Sequence, residues 1–284
     1  MRTFKTTLLN SFRADDTFIL GRMLLISFSL ILGSISLKAD QPIMNMMPRW
    51  DGGYGWQVLY DTLERSKLMQ GSEVLDADKS ENIDLVHLQG VYTWDRSIRM
   101  TVKIPYVLRA QRENLDGTIE RDKGLGDIKV ALPLKQYFNL DGRTGSWTFA
   151  PQVVIPTSEV DQYNIYSSVW GGGLSVGYET ETYNWFFAVG ASYWTYEKET
   201  DRSALNLDFG INPYDNMQIL LENDYHYKND GARRLSVGPS IYFRQNLQTH
   251  WRLEFKKDYF VSAGKTGVDH ANETKLSLGV GFVY

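Results

Sequence analysis

The last ten residues of the chain, 275–284, constrain its fold more than any other stretch. They read K-L-S-L-G-V-G-F-V-Y, so large apolar side chains occupy every second position from Leu276 to Tyr284. Successive side chains of a β-strand point to opposite faces, which gives this strand one apolar face and one small or polar face. In water, a terminal strand with an apolar outer face promotes aggregation. The same strand is stable where it faces lipid and closes a barrel.

This ending resembles the C-terminal recognition signal of bacterial outer-membrane proteins, which finishes in Phe, Tyr or Trp. The resemblance implies that Phe282 and Tyr284 act as an assembly signal. It also implies two kinds of partner, the lipids of the outer membrane and the barrel assembly machinery. The expected location is the outer membrane of a Gram-negative bacterium.

The N-terminal segment has the organisation of a secretory signal peptide. Basic residues precede an apolar run over 23–37, which is shorter than the roughly 20 residues of a membrane-spanning helix. We therefore predict a signal peptide over residues 1–39, with a single anchor helix as the alternative. Residues 40–51 are predicted to form a periplasmic N-terminal arm, and residues 52–284 to form the barrel.

The composition narrows the chemistry. The chain has no cysteine, so it has no disulfide framework and no thiolate metal site. Met44, Met46 and Met47 offer thioethers that bind soft metals, but without a neighbouring His or Cys they more often form a flexible apolar patch. We predict no metal and no cofactor. A net charge of −4 argues against a nucleic-acid partner, and 17 Tyr, 13 Phe and 8 Trp are enough for interfacial girdles.

Alternating hydrophobicity predicts twelve strands, an even number as in single-chain bacterial barrels. The predicted spans are 52–65, 82–95, 97–110, 125–138, 146–157, 168–180, 183–197, 203–213, 216–228, 232–245, 248–261 and 272–284. Connections after the even-numbered strands are short, whereas 66–81, 111–124, 158–167 and 262–271 are long and polar. This rhythm is typical of an all-β, transmembrane, antiparallel up-and-down β-barrel with both termini periplasmic.

The predicted strands sort their side chains into an apolar face and a charged face. We assign the apolar face to lipid and the charged face to the lumen. The third strand, for example, places Arg109 with the inward charges. The candidates for lining a pore are Arg99, Lys103, Asp127, Lys129, Glu222, Asp224, Arg234, Arg244, Arg252, Glu254 and Lys256. They either pair across the lumen and plug it or line a wet path that sorts solutes.

Glycine and proline residues interrupt several of these strands. Proline removes a hydrogen-bond donor from the ladder, and glycine within a strand often marks a bulge. We therefore expect bulges, rims or kinks at these positions: Pro105, Pro133, Pro151, Pro156, Pro239, Gly171, Gly172, Gly173 and Gly177.

Several short motifs between residues 90 and 284 resemble the outer-membrane family named for the MetA pathway of phenol degradation, whose members are described as transporters. The motifs are I-P-Y around Pro105, G-L-G-D from Gly124 through Gly126 to Asp127, and I-P-T around Pro156. The resemblance implies a small outer-membrane channel that passes aromatic or other poorly soluble compounds.

The sequence therefore predicts a channel for the passive uptake or efflux of small molecules through a charged lumen, and not an enzyme. One alternative is an outer-membrane hydrolase with a site on the extracellular loops. The candidate residues of this hydrolase site are Asp269 and His270, together with acids from loop 66–81. The other alternative is a structural barrel with a sealed lumen.

Overall fold

The computed structural model describes residue 48 and residues 50–140, 142–158, 165, 166, 168–265 and 268–284. The predicted signal peptide, the methionine cluster and almost all of the predicted arm lie outside the described residues. Within the described ranges, no helix is long and apolar enough to cross a membrane.

The described residues form one antiparallel sheet of fifteen segments. In chain order these are β1 Tyr54–Gln70, β2 Glu73–Asp76, β3 Glu81–Asp95, β4 Ile98–Glu113, β5 Ile119–Leu125, β6 Ile128–Ala131, β7 Leu134–Leu140, β8 Arg143–Ile155, β9 Gly171–Glu181, β10 Trp185–Tyr196, β11 Arg202–Tyr214, β12 Met217–Lys228, β13 Arg233–Arg244, β14 Thr249–Ser262 and β15 Asp269–Val283.

Twelve strands cross the barrel. Segments β5, β6 and β7 are pieces of one crossing strand, because all three pair with β4 and β6 and β7 both pair with β8. Segment β2 is a short return that pairs with the far end of β1. Each crossing strand pairs with its sequence neighbours, and β15 pairs with β1 to close the sheet. The predicted twelve-stranded up-and-down barrel is confirmed.

The seam between the first and last strands ends in paired aromatic rings. Phe282 lies opposite Trp56, with ring centroids 4.6 Å apart, and Tyr284 stacks on Tyr54 at 5.5 Å. The amides of Tyr54 and Tyr284 each donate to the other residue's carbonyl, at 2.9 and 2.8 Å. The seam is therefore hydrogen-bonded to its last residue, as the C-terminal pattern predicts.

The two ends of the barrel differ. At the end that holds Tyr54 and Tyr284, called the turn end here, the connections 96–97, 182–184, 215–216 and 245–248 are short. At the opposite end, the loop end, two predicted loops are largely strand. Segment β1 continues to Gln70, and β4 continues to Glu113 and pairs with β5. The prediction of long loops over 66–81 and 111–124 was wrong, because polar residues also form ladders once the hairpin has left the lipid.

The structure shows a strand interruption at one of the prolines and a strand end at another, and no bulge at three more. Pro133 separates β6 from β7, and Pro156 follows the end of β8. Pro105, Pro151 and Pro239 instead stay in register within β4, β8 and β13. Pro105 and Pro151 still use their carbonyls, which accept from the amides of Gly126 and Leu132.

Glycines in β9 make room for aromatic rings. A Cβ atom on Gly173 would lie 2.5 Å from the side chain of Trp194, and one on Gly171 would lie 2.7 Å from that of Tyr196. Gly171, Gly172 and Gly173 all stay in register with β10. These glycines therefore permit close packing and form no bulge, although Gly171 does lie at the rim as the first residue of β9.

The outer surface of the barrel is apolar. Along β14, the outward Trp251, Leu253 and Phe255 are exposed, and each lies between inward charged residues that are less exposed. A closed sheet that shows large apolar side chains outside and charge inside is stable only in a membrane.

The prediction that Arg109 faces the lumen was wrong. A register shift between Val107 and Ala110 turns it outwards, where its side chain is 64% exposed and pairs with Asp84 at 2.7 Å.

Candidate transport pathway

One side of the lumen carries a dense network of ion pairs. We call it the ion-pair wall, and it consists of Asp61, Glu222, Asp224, Arg252, Glu254, Lys256 and Lys275. These residues belong to β1, β12, β14 and β15, which are neighbours or next-neighbours around the sheet. Strict alternation with outward apolar residues turns all of them to the interior.

The contacts within the ion-pair wall are short. Lys256 Nζ lies 2.5 Å from both Glu222 Oε2 and Asp224 Oδ2. Lys275 Nζ lies 3.1 Å from Glu254 Oε1 and 3.7 Å from Asp61 Oδ2. Arg252 also pairs with Glu254. The pairs run along one wall between nearby strands and do not reach across the lumen, so they neutralise each other without filling it.

Hydroxyl and imidazole groups also contact the carboxylates of this wall. Asp61 accepts a hydrogen bond from Ser277 and lies 3.0 Å from His87 Nε2. Glu222 accepts from Ser240 Oγ at 2.5 Å. Buried carboxylates need several such partners to offset the loss of hydration. The wall is therefore a rigid structure and not a row of free charges.

A second set of ion pairs lies towards the loop end. Arg65 bridges Glu81 and Glu273 at 2.6 and 2.9 Å, and Arg234 reaches the same Glu273 at 2.9 Å. Arg112 extends the chain of contacts to Glu81 at 2.9 Å. Arg234, a predicted pore-lining residue, therefore belongs to this second network.

Outside the barrel wall, at the loop end, Lys79 Nζ donates to Glu113 Oε1 at 2.7 Å. That hydrogen bond raises the pKa of Lys79 above its usual value. The two neighbouring hairpins at the loop end are thus tied to each other by charge.

The opposite side of the lumen is lined by small side chains. We call it the small-residue wall, and it consists of Ala150, Ser175, Gly177, Ala188, Gly190, Ser192 and Ala204, from β8 to β11. Ser175 lies opposite Ser192, which lies opposite Ala204, and Gly177 lies opposite Gly190. Residues that pair directly share a face of the sheet. The result is a strip of barrel wall that projects little into the lumen.

Two lysines lie beside the small-residue wall. Lys103 on β4 and Lys129 on β6 are directly opposite each other in the ladder. Lys129 is exposed to solvent although it faces inwards, and Lys103 is half-buried. Lys129 Nζ lies 5.4 Å from the ring centroid of Trp194. Among the described residues, neither lysine has an acid within ion-pair distance.

Asp127, predicted to line the pore, fastens the connection between β8 and β9. Its two carboxylate oxygens accept from the amides of Ser158 and Ser168, each at 3.0 Å. Thr157 Oγ1 donates to the carbonyl of Gly126 at 2.8 Å. The G-L-G-D and I-P-T motifs, which follow different strands, thus meet in one hydrogen-bonded unit.

The fastened connection brings Ile165 and Tyr166 into the barrel. Together with Leu63, both pack against a buried cluster formed by Ile83, Leu85, Val107 and Ala110. A Cβ atom on Gly126 would lie 2.4 Å from the Tyr166 ring. Gly124 has φ +142, a conformation that L side chains rarely adopt. The motif glycines therefore admit this connection, and Tyr166 is a lumen residue that sequence reasoning missed.

Two other pore-lining candidates lie near the turn end. Arg99 is almost fully buried and donates to the hydroxyl of Tyr137 at 2.5 Å. Arg244 donates to the carbonyl of Asp215 at 3.0 Å. Both side chains are thus held by neighbouring parts of the sheet near the turn end.

The residues of the alternative hydrolase site are engaged in structural contacts. His270 is buried and its Nε2 lies 3.1 Å from the carbonyl of Glu113. Asp269 pairs with Arg112 at 3.3 Å, and Glu81 is held by two arginines. In the part of the chain that the structure describes, no three His, Asp or Glu residues are grouped to hold a metal ion.

Comparison with known proteins supports the fold. No family model and no curated protein sequence matches the chain. Its structure is similar to the COG4313 outer membrane channel from Pseudomonas putida F1, with a TM-score of 0.71 and 13% identity over 87% of this chain and 100% of that one. The similarity to the KdgM porin is weaker, with a TM-score of 0.49 and 9% identity over 80% of this chain and 98% of that one.

The chain therefore has the fold of an outer-membrane β-barrel, and one solved structure that it resembles over 87% of its length is that of a channel. At 13% identity the likeness extends to the fold alone, and the TM-score of the KdgM porin is too low to add to it. The resemblance to the family of the MetA pathway has no family-model match and stays a resemblance.

Proposed function

We propose that the chain is an outer-membrane channel through which small molecules diffuse passively. The observation that carries the proposal is Lys129, a side chain that faces the inside of a closed barrel and is nevertheless exposed to solvent. Water that reaches this position leaves room for a solute beside the small-residue wall. The similarity to a solved outer membrane channel supports the same function.

In this mechanism, the two walls have separate roles. The ion-pair wall keeps the barrel rigid and offers a polar surface, because charged side chains hold ordered water along a pore. The small-residue wall gives the solute its space. Tyr166 is partly exposed where it packs on the buried apolar cluster around Val107, and this aromatic surface near the loop end suits aromatic or hydrophobic compounds.

The orientation follows the usual arrangement of outer-membrane barrels, in which short turns and termini face the periplasm. We place the turn end there, with the aromatic pairs of the seam at the periplasmic interface. In this arrangement, Phe282 and Tyr284 are accessible to the barrel assembly machinery during insertion.

A liposome-swelling assay with sugars, amino acids and phenolics tests the proposal. Vesicles that contain the full-length folded protein should swell in small solutes faster than empty vesicles. Swelling should slow as solute size increases, because the lumen is narrow. If no solute of any class enters, the channel function is excluded and the sealed barrel is favoured.

The hydrolase alternative has a separate test. Peptide or lipid hydrolysis by the purified barrel that disappears in His270→Ala, with folding intact, would revive it. The buried position of His270 and its contact with the Glu113 carbonyl argue against that outcome.

A further inference from the structure

Among the described residues, the lysine pair differs from Arg252, Lys256 and Lys275 of the ion-pair wall, because neither lysine has an acid within ion-pair distance. Two acids interact electrostatically with the pair at longer range. Asp61 acts on Lys103, and Asp127 acts on Lys129. Asp61 is engaged by Ser277, His87 and Lys275. Two backbone amides occupy the carboxylate of Asp127. Neither acid forms an ion pair with the lysines.

Two lysines that lie opposite each other on one face of the ladder both attract an anion. Like charges opposite each other in a ladder destabilise it, and an anion that bridges them removes this repulsion. Hydrogen bonds from ammonium to carboxylate are shorter and stronger than those between neutral groups. Water is excluded on the side of the barrel wall, which increases the attraction further.

Trp194 gives the same position an aromatic surface. Its ring lies flat over Gly173, which has no side chain to lift it into the lumen. The ring is half-buried and sits next to Lys129. An apolar body attached to the anion would therefore contact the indole while its charge meets the lysines.

We propose that Lys103, Lys129 and Trp194 form a binding site for small organic anions, namely carboxylates that carry an apolar body. The proposal rests on the proposed channel, because the site lies within its lumen. In that setting, the pair gives the channel a preference for organic acids over neutral and cationic solutes of the same size.

Calorimetric titration of the folded full-length protein in detergent tests the site without any transport step. The probes are benzoate, benzyl alcohol and benzylammonium, which share a ring and differ in charge. Benzoate should bind at least tenfold more tightly than the other two. Equal binding of all three probes, or no binding of benzoate, would overturn the proposal.

Substitution of the two lysines tests whether benzoate binds at this site. Lys103→Gln and Lys129→Gln should each weaken benzoate binding about tenfold, since a charge-assisted hydrogen bond to a carboxylate is lost. Lys257→Gln is the matched control, because this lysine is exposed on the outer face of β14. Heat-modifiable migration on a gel verifies that each variant is folded. Unchanged benzoate affinity in a folded double variant would assign the binding to another place.

The outcomes for site and channel are separable. Benzoate binding without permeation of any solute would exclude the channel and keep the site. Permeation of sugars with no preference for benzoate would keep the channel and exclude the site. If the lysine variants fail to fold, the probe series on the wild-type protein still decides.

Discussion

The two walls of the lumen use the same strand geometry for opposite purposes. The ion-pair wall places long charged side chains at inward positions of β12, β14, β15 and β1, and each carboxylate there has several partners. The small-residue wall places Gly, Ala and Ser at the equivalent positions of β8 to β11. Long paired side chains cover one wall, and the other wall projects little into the lumen.

This difference shows where stability and permeation should reside. Charges that pair along a wall stabilise it only as a complete set, since a missing partner leaves buried charge uncompensated. Small residues contribute few contacts, so their replacement should cost little stability. We therefore expect substitutions in the ion-pair wall to affect folding and substitutions in the small-residue wall to affect conductance.

A substitution at the seam between β1 and β15, on the outer side of the ion-pair wall, has the largest expected effect. Tyr284→Asp should sharply reduce the yield of folded barrel, because it replaces the terminal aromatic of the proposed assembly signal. Trp147→Asp is the control, an exposed aromatic at the same end on β8. Heat-modifiable protein in outer-membrane fractions is the measurement. Equal yields of folded barrel for the two variants would mean that the aromatic residue at the seam is no more important for assembly than another exposed aromatic residue.

Glu254 tests the interior of the ion-pair wall. It is 1% exposed and contacts Lys256, Lys275 and Arg252. Glu254→Ala leaves three cations together and should lower the free energy of unfolding by about 3 kcal/mol, the cost of breaking a buried pair. Urea titration of the barrel in lipid vesicles measures this change.

Glu64→Ala is the matched control for Glu254. Glu64 lies on the outer face of β1 and is exposed, so its loss should change the unfolding free energy by about 0.5 kcal/mol or less. A similar loss for both variants would contradict the difference between the inner and outer faces.

The strand pattern was sufficient to predict the barrel. Period-two alternation from Leu276 to Tyr284, repeated along the chain, gives twelve strands and the direction of most side chains. It failed at Arg109, because a local register shift reverses the alternation there. Alternation is a property of one strand, whereas a bulge depends on the partner strand as well.

The contacts inside the lumen were beyond the reach of the sequence. Asp127 and Lys129 look alike as inward charges, yet one fastens a connection and the other is exposed. Which acid pairs with which base depends on the register between strands, and that register cannot be predicted from the sequence of one strand alone. The glycines of β9 are visible in the sequence, but their relation to Trp194 depends on the pairing of β9 with β10.

Ser192 tests the small-residue wall directly. Ser192→Trp adds a large ring to the open side of the lumen and should reduce single-channel conductance severalfold while the barrel stays folded. The neighbouring Ala191→Trp is the matched control, since its side chain faces lipid, where an indole is tolerated. Bilayer recordings measure both. Equal conductance of the two variants would place the path away from β10.

The connection fastened by Asp127 gives the smallest expected effect. Asp127→Asn keeps the size of the side chain but replaces one acceptor by a donor, so it weakens a pair of hydrogen bonds worth about 1.5–3 kcal/mol each when the acceptor is charged. Tyr166 should then leave the apolar cluster part of the time, and the conductance should rise modestly with more current noise. Asp122→Asn is the control, because within the described ranges Asp122 accepts only from the adjacent Lys123 amide. Steady wild-type current in Asp127→Asn would show that Tyr166 is held by its packing against the barrel wall and not by the carboxylate.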